Sequence, residues 1–305
     1  MHELGLNTDY LTASGSPKDC LRRIAEAGFS HVMWCHQWNT DFLYGEPEWA
    51  AIAGWLREYH LRLMDIHATH GKEKCWYSTV EYERQAGVEL VANRLRMLKR
   101  LDGEGVLTLH PPYLRDWPAE TPAADREKYA ALAERQFEAM CKSLDDLAPL
   151  LRQEHVRIAV ENLPHDNWVM LKRLLDRFPP EILGITYDSG HGNIADLPGE
   201  TPRLDDLEAL SGRLLALHLH DNHGAGDEHL PPFLGTVNWK RLAGILAHSP
   251  DLGRPLVFEV GVWNMPGAPE KHDLTLVSEE FQRRFLCETR ERAERVAQLV
   301  EAAKA

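Results

Sequence analysis

The amino-acid sequence predicts a (β/α)8 barrel, and three observations support this fold class. Short apolar segments alternate with longer amphipathic segments along all 305 residues. Each connection between successive apolar segments is long enough for the crossover that joins parallel strands. Ionisable side chains recur where the apolar segments end, and functional residues of such barrels lie at the carboxyl ends of the strands. We therefore expect a single domain over residues 1–305, with its site at that end.

Eight short apolar segments are the predicted strands of this barrel. In chain order they are ELGLN (3–7), HVMWCH (31–36), RLMDIH (62–67), GVLTLH (105–110), VRIAVEN (156–162), ILGITYD (182–188), LLALHLHD (214–221) and PLVFEV (255–260). Apolar runs of this length fit strands that are buried on both faces, as in a parallel sheet.

The segments between these strands have the pattern of helices. Residues 19–28 carry apolar side chains at helical spacing and end in Gly28, which suits a helix C-terminus. Residues 46–60 place Pro47 in the first turn, where a missing N–H costs nothing. The remaining predicted helices are 80–101, 124–152, 166–178, 203–211, 238–247 and 278–303. A doubly wound open sheet competes with the barrel, but LNTDYLTASGSP after the first strand lacks the GxGxxG spacing of that fold.

Composition and charge narrow the classes of function. Hydrophobic residues make up 44% and charged residues 27% of the chain, as is ordinary for a globular protein. The formal net charge of −13 argues against a nucleic-acid partner, because binding to phosphates depends on Lys and Arg. The sequence has no apolar run of about 18 residues, so we expect no membrane span.

The ends of the chain and its cysteines bear on location and assembly. The N-terminus MHELGLNTDY has neither a basic leader nor an apolar signal core, which predicts a cytoplasmic protein. The five cysteines are scattered without a CxxC pair, as suits a reducing compartment. The helix from Ser278 onward has enough apolar positions to pack on a neighbour, so a homo-oligomer remains open.

Imidazoles and carboxylates stand at or just after the ends of six predicted strands. They are His67, His110, Glu161, Asp188 with His191, His218 with His220, and Glu259. Carboxylates gathered at one barrel mouth must take up protons or be bridged by a cation. Because few basic residues follow these strands, we expect a divalent metal ion with oxygen and imidazole ligands. Manganese, zinc, cobalt and magnesium all fit that ligand set.

Four short motifs occur in the second half of the chain. They are VEN at 160–162, DSGH at 188–191, HLHDN at 218–222 and FEV at 258–260. In this order and spacing they resemble the xylose isomerase-like TIM barrel superfamily, which includes D-tagatose 3-epimerase-like sugar epimerases, inosose dehydratases and endonuclease IV (AP endonuclease family 2). The resemblance implies a metal-dependent sugar isomerase or epimerase. It implies one metal ion held by Glu161, Asp188, His218 and Glu259, with His191 contacting the substrate.

The similarity to endonuclease IV extends to the additional zinc ligands of that enzyme. The matching positions here are His67, His110, His191, Asp227 and His229. They imply an alternative function, the cleavage of abasic DNA with up to three zinc ions, which the acidic balance of the chain opposes. The segment PPFLGTVNW departs from the superfamily pattern PPGxGxIDW at Phe233 and Leu234, which predicts a reshaped loop over the pocket.

The expected chemistry is proton transfer next to a carbonyl through a metal-stabilised enediolate. Glu161 and Glu259 are the predicted catalytic pair: one removes a proton and the other, protonated, returns one. A keto-sugar dehydratase or lyase would use the same groups, and a non-catalytic sugar-binding barrel is a third hypothesis. In MWCHQW, Trp34 and His36 are predicted to bind the substrate, a small sugar or polyol.

Overall fold

The computed structural model describes residues 3–12, 16–68, 71–112, 121–164, 168–194, 204–250, 254–268 and 277–304. Its strands are β1 (Leu4–Asn7), β2 (His31–Trp34), β3 (Arg62–His67), β4 (Leu107–Leu109), β5 (Ile158–Glu161), β6 (Leu183–Asp188), β7 (Leu214–His218) and β8 (Leu256–Phe258). Its α-helices are α1 (Lys18–Glu26), α2 (Glu46–Glu58), α3 (Glu81–Arg100), α4 (Ala123–Glu154), α5 (Val169–Arg177), α6 (Leu204–Leu210), α7 (Trp239–His248) and α8 (Glu279–Ala303). Strands and helices alternate along the chain as the sequence predicts.

The eight strands form one parallel sheet in the order β7-β6-β5-β4-β3-β2-β1-β8. The sheet closes just beyond β7, where the Leu219 N–H donates to the Val257 carbonyl at 3.0 Å and the Glu259 N–H donates to the Leu219 carbonyl at 3.1 Å. The predicted (β/α)8 barrel is therefore confirmed. This closure also brings the end of β7 beside Glu259, which directly follows β8.

Residues along each strand alternate between the barrel interior and the helical layer, as the pleat of a strand requires. On and next to β2, Met33 and Cys35 pack in a small interior cluster with Met64 and Val257. Trp34 belongs instead to the large apolar core between the strands and the surrounding helices. The same alternation places His218 and His220, two residues apart, on one face of the chain at the end of β7.

The helix bounds differ from the predicted bounds by a few residues. α4 extends to Glu154 and keeps Pro149 within it, whereas the periodicity predicted an end at 152. Ser278 caps α8 by accepting a hydrogen bond from the Phe281 N–H at 3.1 Å, and such caps stabilise a helix start. The predicted helix starts at 166 and 203 lie outside the described residues. No helix of the described ranges has the length and apolar character to cross a membrane.

Candidate metal centre

Four side chains from consecutive strands converge at the carboxyl end of the barrel. They are Glu161 of β5, Asp188 of β6, His218 of β7 and Glu259 after β8, and one ligand atom of each lies within 4.8 Å of the others. His218 Nδ1 is 2.7 Å from Glu259 Oε2 and 3.1 Å from Glu161 Oε2. The first three are buried, and Glu259 remains 13% exposed. The sequence-predicted ligand set is thus brought together in space.

Several buried polar atoms of this central group make no well-directed hydrogen bond to the described residues. Glu161 Oε2 and both ring nitrogens of His218 are buried and make no well-directed hydrogen bond within the described part of the chain, although His218 Nδ1 lies close to both glutamate carboxylates. A buried polar atom without a partner costs about 1–3 kcal/mol, and more when it is charged. A cation among these atoms would relieve that cost, and carboxylate oxygens with an imidazole nitrogen suit a divalent ion. The residues present therefore fit a metal ion.

Asp188 is oriented by its neighbours before any ion binds. The side chain of Asn162 donates to the Asp188 carbonyl at 3.0 Å and accepts from the Asp188 N–H at 2.8 Å. The His191 N–H donates to Asp188 Oδ1 at 2.6 Å, and His220 Nε2 lies 2.9 Å from the same oxygen. These contacts fix the carboxylate of Asp188, in the way that outer partners orient metal ligands.

A second group lies on the β3 and β4 side of Glu161. His67 Nε2 and His110 Nε2 are 3.1 Å apart, and they lie 3.7 Å and 3.3 Å from Glu161 Oε2. The His67 Nδ1–H donates to the Ala68 carbonyl at 3.3 Å, which leaves the Nε2 lone pair directed at the group. Trp76 donates its indole N–H to the His110 carbonyl at 3.0 Å and anchors that strand end.

A third group surrounds Asp227 in the loop after β7. Asp227 Oδ2 is 3.1 Å from His229 Nε2 and 3.4 Å from His191 Nε2. The other ring nitrogen of each histidine faces a backbone carbonyl: His191 Nδ1 is 2.9 Å from the Asn162 oxygen, and His229 Nδ1 is 3.0 Å from the Glu259 oxygen. An Nδ1–H bonded to a carbonyl leaves Nε2 as a ligand atom, which is the usual arrangement of metal-binding histidines.

The backbone of His229 is strained toward this group. Its φ of 48° lies in the left-handed region that residues other than glycine rarely adopt. Its ring stacks on the His220 ring with 4.2 Å between centroids and 12° between planes. The Gly261 N–H also donates to the His229 carbonyl at 2.9 Å. Strain that is held in place by several contacts is typical of functional sites.

The charges of the centre are strongly coupled. Burial lowers the pKa of His218, but the adjacent Glu161 and Glu259 carboxylates raise it well above the usual value. Burial raises the pKa of Glu259, but His218 and His229 bring it down to about 2. Burial and the neighbouring His110 lower the pKa of His67 to about 3. Without an ion, protonated His218 therefore balances carboxylates that stay ionised.

The aromatic residues at the end of β2 are divided between two places. Trp34, 1% exposed, donates its indole N–H to the Tyr44 hydroxyl at 3.0 Å, and His36 lies beside it with 5.6 Å between ring centroids. Neither side chain joins the metal groups. Trp38 does: its ring centroid lies 4.9 Å from that of His67 and 5.5 Å from that of His110. Trp38 is thus the aromatic residue of this segment at the centre.

Asp9 is a further acidic residue that the strand-end pattern missed, because it lies two residues beyond β1. The Asn7 side chain donates to Asp9 Oδ1 at 2.9 Å and to the Val260 carbonyl at 3.1 Å. Burial and the charge of Glu259 raise the pKa of Asp9. Asn7 and Asp9 are two residues apart, so the alternation of side chains along β1 places them on the same face. Because β1 pairs with β8, which leads to Glu259, this alternation would have predicted Asp9 as a residue of the barrel mouth.

The loop after β7 carries the two residues that depart from the superfamily pattern. Phe233 has a φ of 66°, a left-handed conformation that glycine adopts readily. Its ring packs against Trp239 with 5.6 Å between centroids, and the Arg295 guanidinium lies 4.2 Å from the ring centroid. Phenylalanine therefore occupies here a backbone conformation that is more usual for glycine. In the same loop, His223 is 59% exposed and pairs with Glu228 at 3.0 Å, away from the centre.

A comparison with known proteins identifies the family. The family model described as xylose isomerase-like TIM barrel matches residues 21–280. The chain belongs to the xylose isomerase-like TIM barrel family. Within curated proteins, the uncharacterized protein y4fM of Sinorhizobium fredii is 30% identical over 258 residues, which cover 77% of this chain and 78% of that protein. The uncharacterized protein MJ1311 of Methanocaldococcus jannaschii is 26% identical over 165 residues, 52% of each protein.

Solved structures with this xylose isomerase-like fold include several sugar epimerases. A D-tagatose 3-epimerase-like protein has a TM-score of 0.69 at 19% identity, over 100% of both chains. The D-psicose 3-epimerase of Clostridium cellulolyticum H10 with D-tagatose has a TM-score of 0.69 at 14% identity, over 98% of this chain and 99% of that one. The 3-keto-D-glucoside 4-epimerase YcjR of E. coli has a TM-score of 0.62 at 16% identity, over 95% of this chain and 100% of that one. At these identities the likeness shows the fold, and the resemblance inferred from the four motifs is confirmed.

Proposed function

We propose that this protein is a divalent-metal-dependent sugar isomerase or epimerase, or a closely related keto-sugar dehydratase or lyase. One observation carries the proposal: Glu161, Asp188, His218 and Glu259 each bring a ligand atom within 4.8 Å of the others, and buried atoms of Glu161 and His218 make no well-directed hydrogen bond in the described part of the chain. The epimerase neighbours support a small sugar or polyol as the substrate.

The four residues would hold the ion, and manganese, zinc, cobalt and magnesium remain the candidates. When bound, such an ion would polarise a carbonyl and a neighbouring hydroxyl as a Lewis acid. Glu161 comes from β5 and Glu259 follows β8, so the two carboxylates reach the substrate from different sides of the mouth. One takes a proton from the carbon beside the carbonyl, and the other, when protonated, returns one. Because His218 lies between them, the two carboxylates titrate as a pair.

Residues around the carboxylates would orient the sugar. His191 Nε2 faces the mouth beside Asp227 and is suited to a substrate hydroxyl. Trp38, beside His67 and His110, offers an aromatic face to the C–H groups of a sugar ring. We assign to Trp38 the aromatic contact that the sequence pattern assigned to Trp34, because the Trp34 indole is buried against Tyr44.

The test combines metal analysis with a screen of keto-sugars in D2O. We expect a divalent ion in the purified protein and solvent deuterium at the carbon beside the carbonyl of a converted sugar. Removal of the ion by a chelator should abolish both deuterium uptake and conversion, and the ion should restore them. Unchanged activity in metal-free protein would overturn the proposal. Sugar binding without turnover, with or without metal, would favour a non-catalytic barrel.

A second candidate function is metal-dependent cleavage of abasic DNA. The observation in its favour is the pair of further groups around the centre, formed by His67, His110, His191, Asp227 and His229. Together with the central group they could hold up to three zinc ions. The net charge of −13 opposes this function. Incision of an abasic duplex at low salt, with three zinc ions per chain, would support it, and failure to bind that duplex would exclude it.

A further inference from the structure

β3 does not alternate regularly between the barrel interior and the helical layer. Leu63 and Ile66 both belong to the large core between the strands and the helices, although they are three residues apart. Regular alternation places residues three apart on opposite faces. Met64 lies in the small interior cluster, and His67 Nε2 lies 3.7 Å from Glu161 Oε2 at the mouth. Between its two outward side chains, β3 therefore has one residue more than a regular strand.

The pairing of β3 with β2 locates this extra residue. Val32 pairs with Leu63. Trp34, two residues further along β2, pairs with Ile66, which is three residues further along β3. Such an extra residue is a β-bulge, and bulges beside active sites turn side chains in a new direction. Without this bulge, His67 would lie on the same face as Leu63 and would point toward the helices.

The side chain of Asp65 completes the hydrogen bonds of the bulge. The Met64 carbonyl accepts from the Gly105 N–H at 2.8 Å. The next N–H of that segment, which belongs to Val106, donates to Asp65 Oδ1 at 2.7 Å. Asp65 and Val106 are both 1% exposed. A buried N–H without an acceptor is costly, so the Asp65 carboxylate stabilises the bulged arrangement.

Gly105 provides the space that this carboxylate occupies. A Cβ atom on Gly105 would overlap Asp65 Oδ1 and would lie 2.7 Å from the Met64 carbonyl oxygen. The acidic residue Asp65 also opposes the regular register, in which its side chain would lie with Leu63 in the apolar core. A carboxylate without a partner is disfavoured in such a core. Both Gly105 and Asp65 therefore favour the bulge.

We propose that Asp65 is a positioning residue, whose carboxylate holds the bulge that directs His67 into the barrel mouth. This role goes beyond the proposed function, because His67 needs the same direction whether it stays paired with His110 or binds a further ion. In that direction the His67 ring also meets Trp38, with 4.9 Å between the ring centroids. A change at Asp65 therefore reaches the mouth through His67.

Asp65→Leu and Asp65→Asn test this role, because only asparagine keeps an acceptor oxygen for the Val106 N–H. The readout is the nuclear Overhauser effect between the ring protons of His67 and Trp38, in protein with labelled histidine and tryptophan, and His67→Gln assigns this signal. We expect the signal in the wild type and in Asp65→Asn, and its loss in Asp65→Leu. Full signal in Asp65→Leu, or no signal in the wild type or in Asp65→Asn, would overturn the proposal.

Gly105→Ala disturbs the same bulge from the segment before β4, in case Asp65→Leu does not fold. Its methyl group must displace the Asp65 carboxylate, so the signal should again be lost. Gly54→Ala on α2 is the matched control: apart from its own helix, the added Cβ meets nothing among the described residues within 4 Å, and the signal should remain. An unchanged signal in Gly105→Ala would contradict the proposal.

Activity shows whether Asp65 acts through His67. For a sugar that the protein converts, Asp65→Leu should lower kcat/KM by the same factor as His67→Ala, and the double variant by no more than that factor. A larger loss in the double variant would show that Asp65 acts elsewhere and would contradict the proposal. This comparison rests on the proposed function, whereas the nuclear Overhauser effect does not, so the failure of either one is distinguishable from the failure of the other.

Discussion

His67 Nε2 lies 3.1 Å from His110 Nε2, and both imidazoles face the buried Glu161 carboxylate, which also faces His218. Glu161 is therefore common to the central group and to the group on β3 and β4. An ion in the central group alone would leave the two histidines paired with each other. A second ion beside Glu161 would take both as ligands. The number of bound ions thus separates the two candidate functions.

Glu161→Gln should remove the ion from the centre. The amide keeps the shape of the carboxylate but loses its charge and one acceptor oxygen. We expect metal content below about one-tenth of wild type after dialysis, and kcat/KM for the converted sugar lower by about 10²–10⁴-fold, the range for loss of a general base. Elemental analysis and the deuterium-uptake assay measure the two effects. His223→Gln changes an exposed histidine of the loop after β7 and should leave both unchanged. Full metal content in Glu161→Gln would contradict the assigned ligand set.

Asp227→Asn distinguishes one ion from several. Asp227 contacts His191 and His229 and is not a member of the central group. If the protein is a mononuclear sugar isomerase or epimerase, this variant keeps one ion per chain, and its effect appears in KM or kcat. Elemental analysis of wild type and variant side by side decides the question. A wild-type content near three ions that drops by one in Asp227→Asn would instead support the multinuclear hydrolase.

Metal binding should release a proton and tighten as pH rises. Burial lowers the pKa of His218, but Glu161 and Glu259 raise it well above its usual value, so this imidazole is protonated at neutral pH without an ion. Coordination by the imidazole would require a proton to leave, so the dissociation constant should fall as pH rises, by up to about tenfold per pH unit while the pH stays below that raised pKa. Calorimetry in buffers of different ionisation enthalpy counts the released protons. A dissociation constant that does not change with pH would exclude this linkage.

The sequence predicted the barrel and the residues that meet at its mouth because each depends on local order along the chain. A residue at the carboxyl end of a barrel strand lies at the mouth regardless of the conformation of the following loop. Glu161, Asp188 and His218 end their strands, and they lie close together as the sequence predicts. Asp9 lies beyond the end of β1 and would have required extending the alternation from Asn7, whereas Trp38 could not be assigned from the sequence, since its segment follows a path that depends on tertiary contacts. For Trp38 that path is set by the loop that buried Arg94 holds through the Phe42 carbonyl at 2.9 Å.

Trp34 shows that the type of a residue at a strand end does not by itself determine whether its side chain faces the site. Its position at the end of β2 predicted a substrate contact, yet strand alternation turns it toward the helical layer with Val32. Met33 and Cys35 take the interior face instead. The sequence shows that the side chains of β2 alternate between two faces. It does not show which of these faces points into the barrel, because the neighbouring strands determine that.

His36 should make the protein less stable in mild acid. Burial lowers its pKa to about 4 in the folded state, below the value of about 6.5 for an unfolded chain. As pH falls from 6.5 to 4, the unfolded state takes up the proton first, and the free energy of unfolding decreases by about 3 kcal/mol from this residue. Urea unfolding at several pH values should show a shallower decline for His36→Gln than for wild type. His248→Gln, at an exposed position, should follow the wild-type curve, and a wild-type slope in His36→Gln would contradict the assignment.

Phe233 should reverse the usual order of alanine and glycine substitutions. Alanine is normally the more stabilising of the two by about 0.5–1 kcal/mol, because glycine has greater freedom in the unfolded chain. At φ 66°, however, alanine bears the cost of a left-handed backbone, about 1–2 kcal/mol, and glycine does not. Phe233→Ala and Phe233→Gly lose the same ring contacts with Trp239 and Arg295, so we expect Phe233→Gly to be the more stable by up to about 1.5 kcal/mol.

Urea unfolding of both Phe233 variants measures this difference, and Leu234 provides the matched control. Leu234 directly follows Phe233 and is not among the residues with positive φ, so Leu234→Ala should be more stable than Leu234→Gly. Opposite orders at the two neighbouring positions would show that the left-handed angle at Phe233, and not the flexibility of the loop, determines the result. If alanine were the more stable substitution at both positions, then Phe233 would not be held in the left-handed conformation in solution.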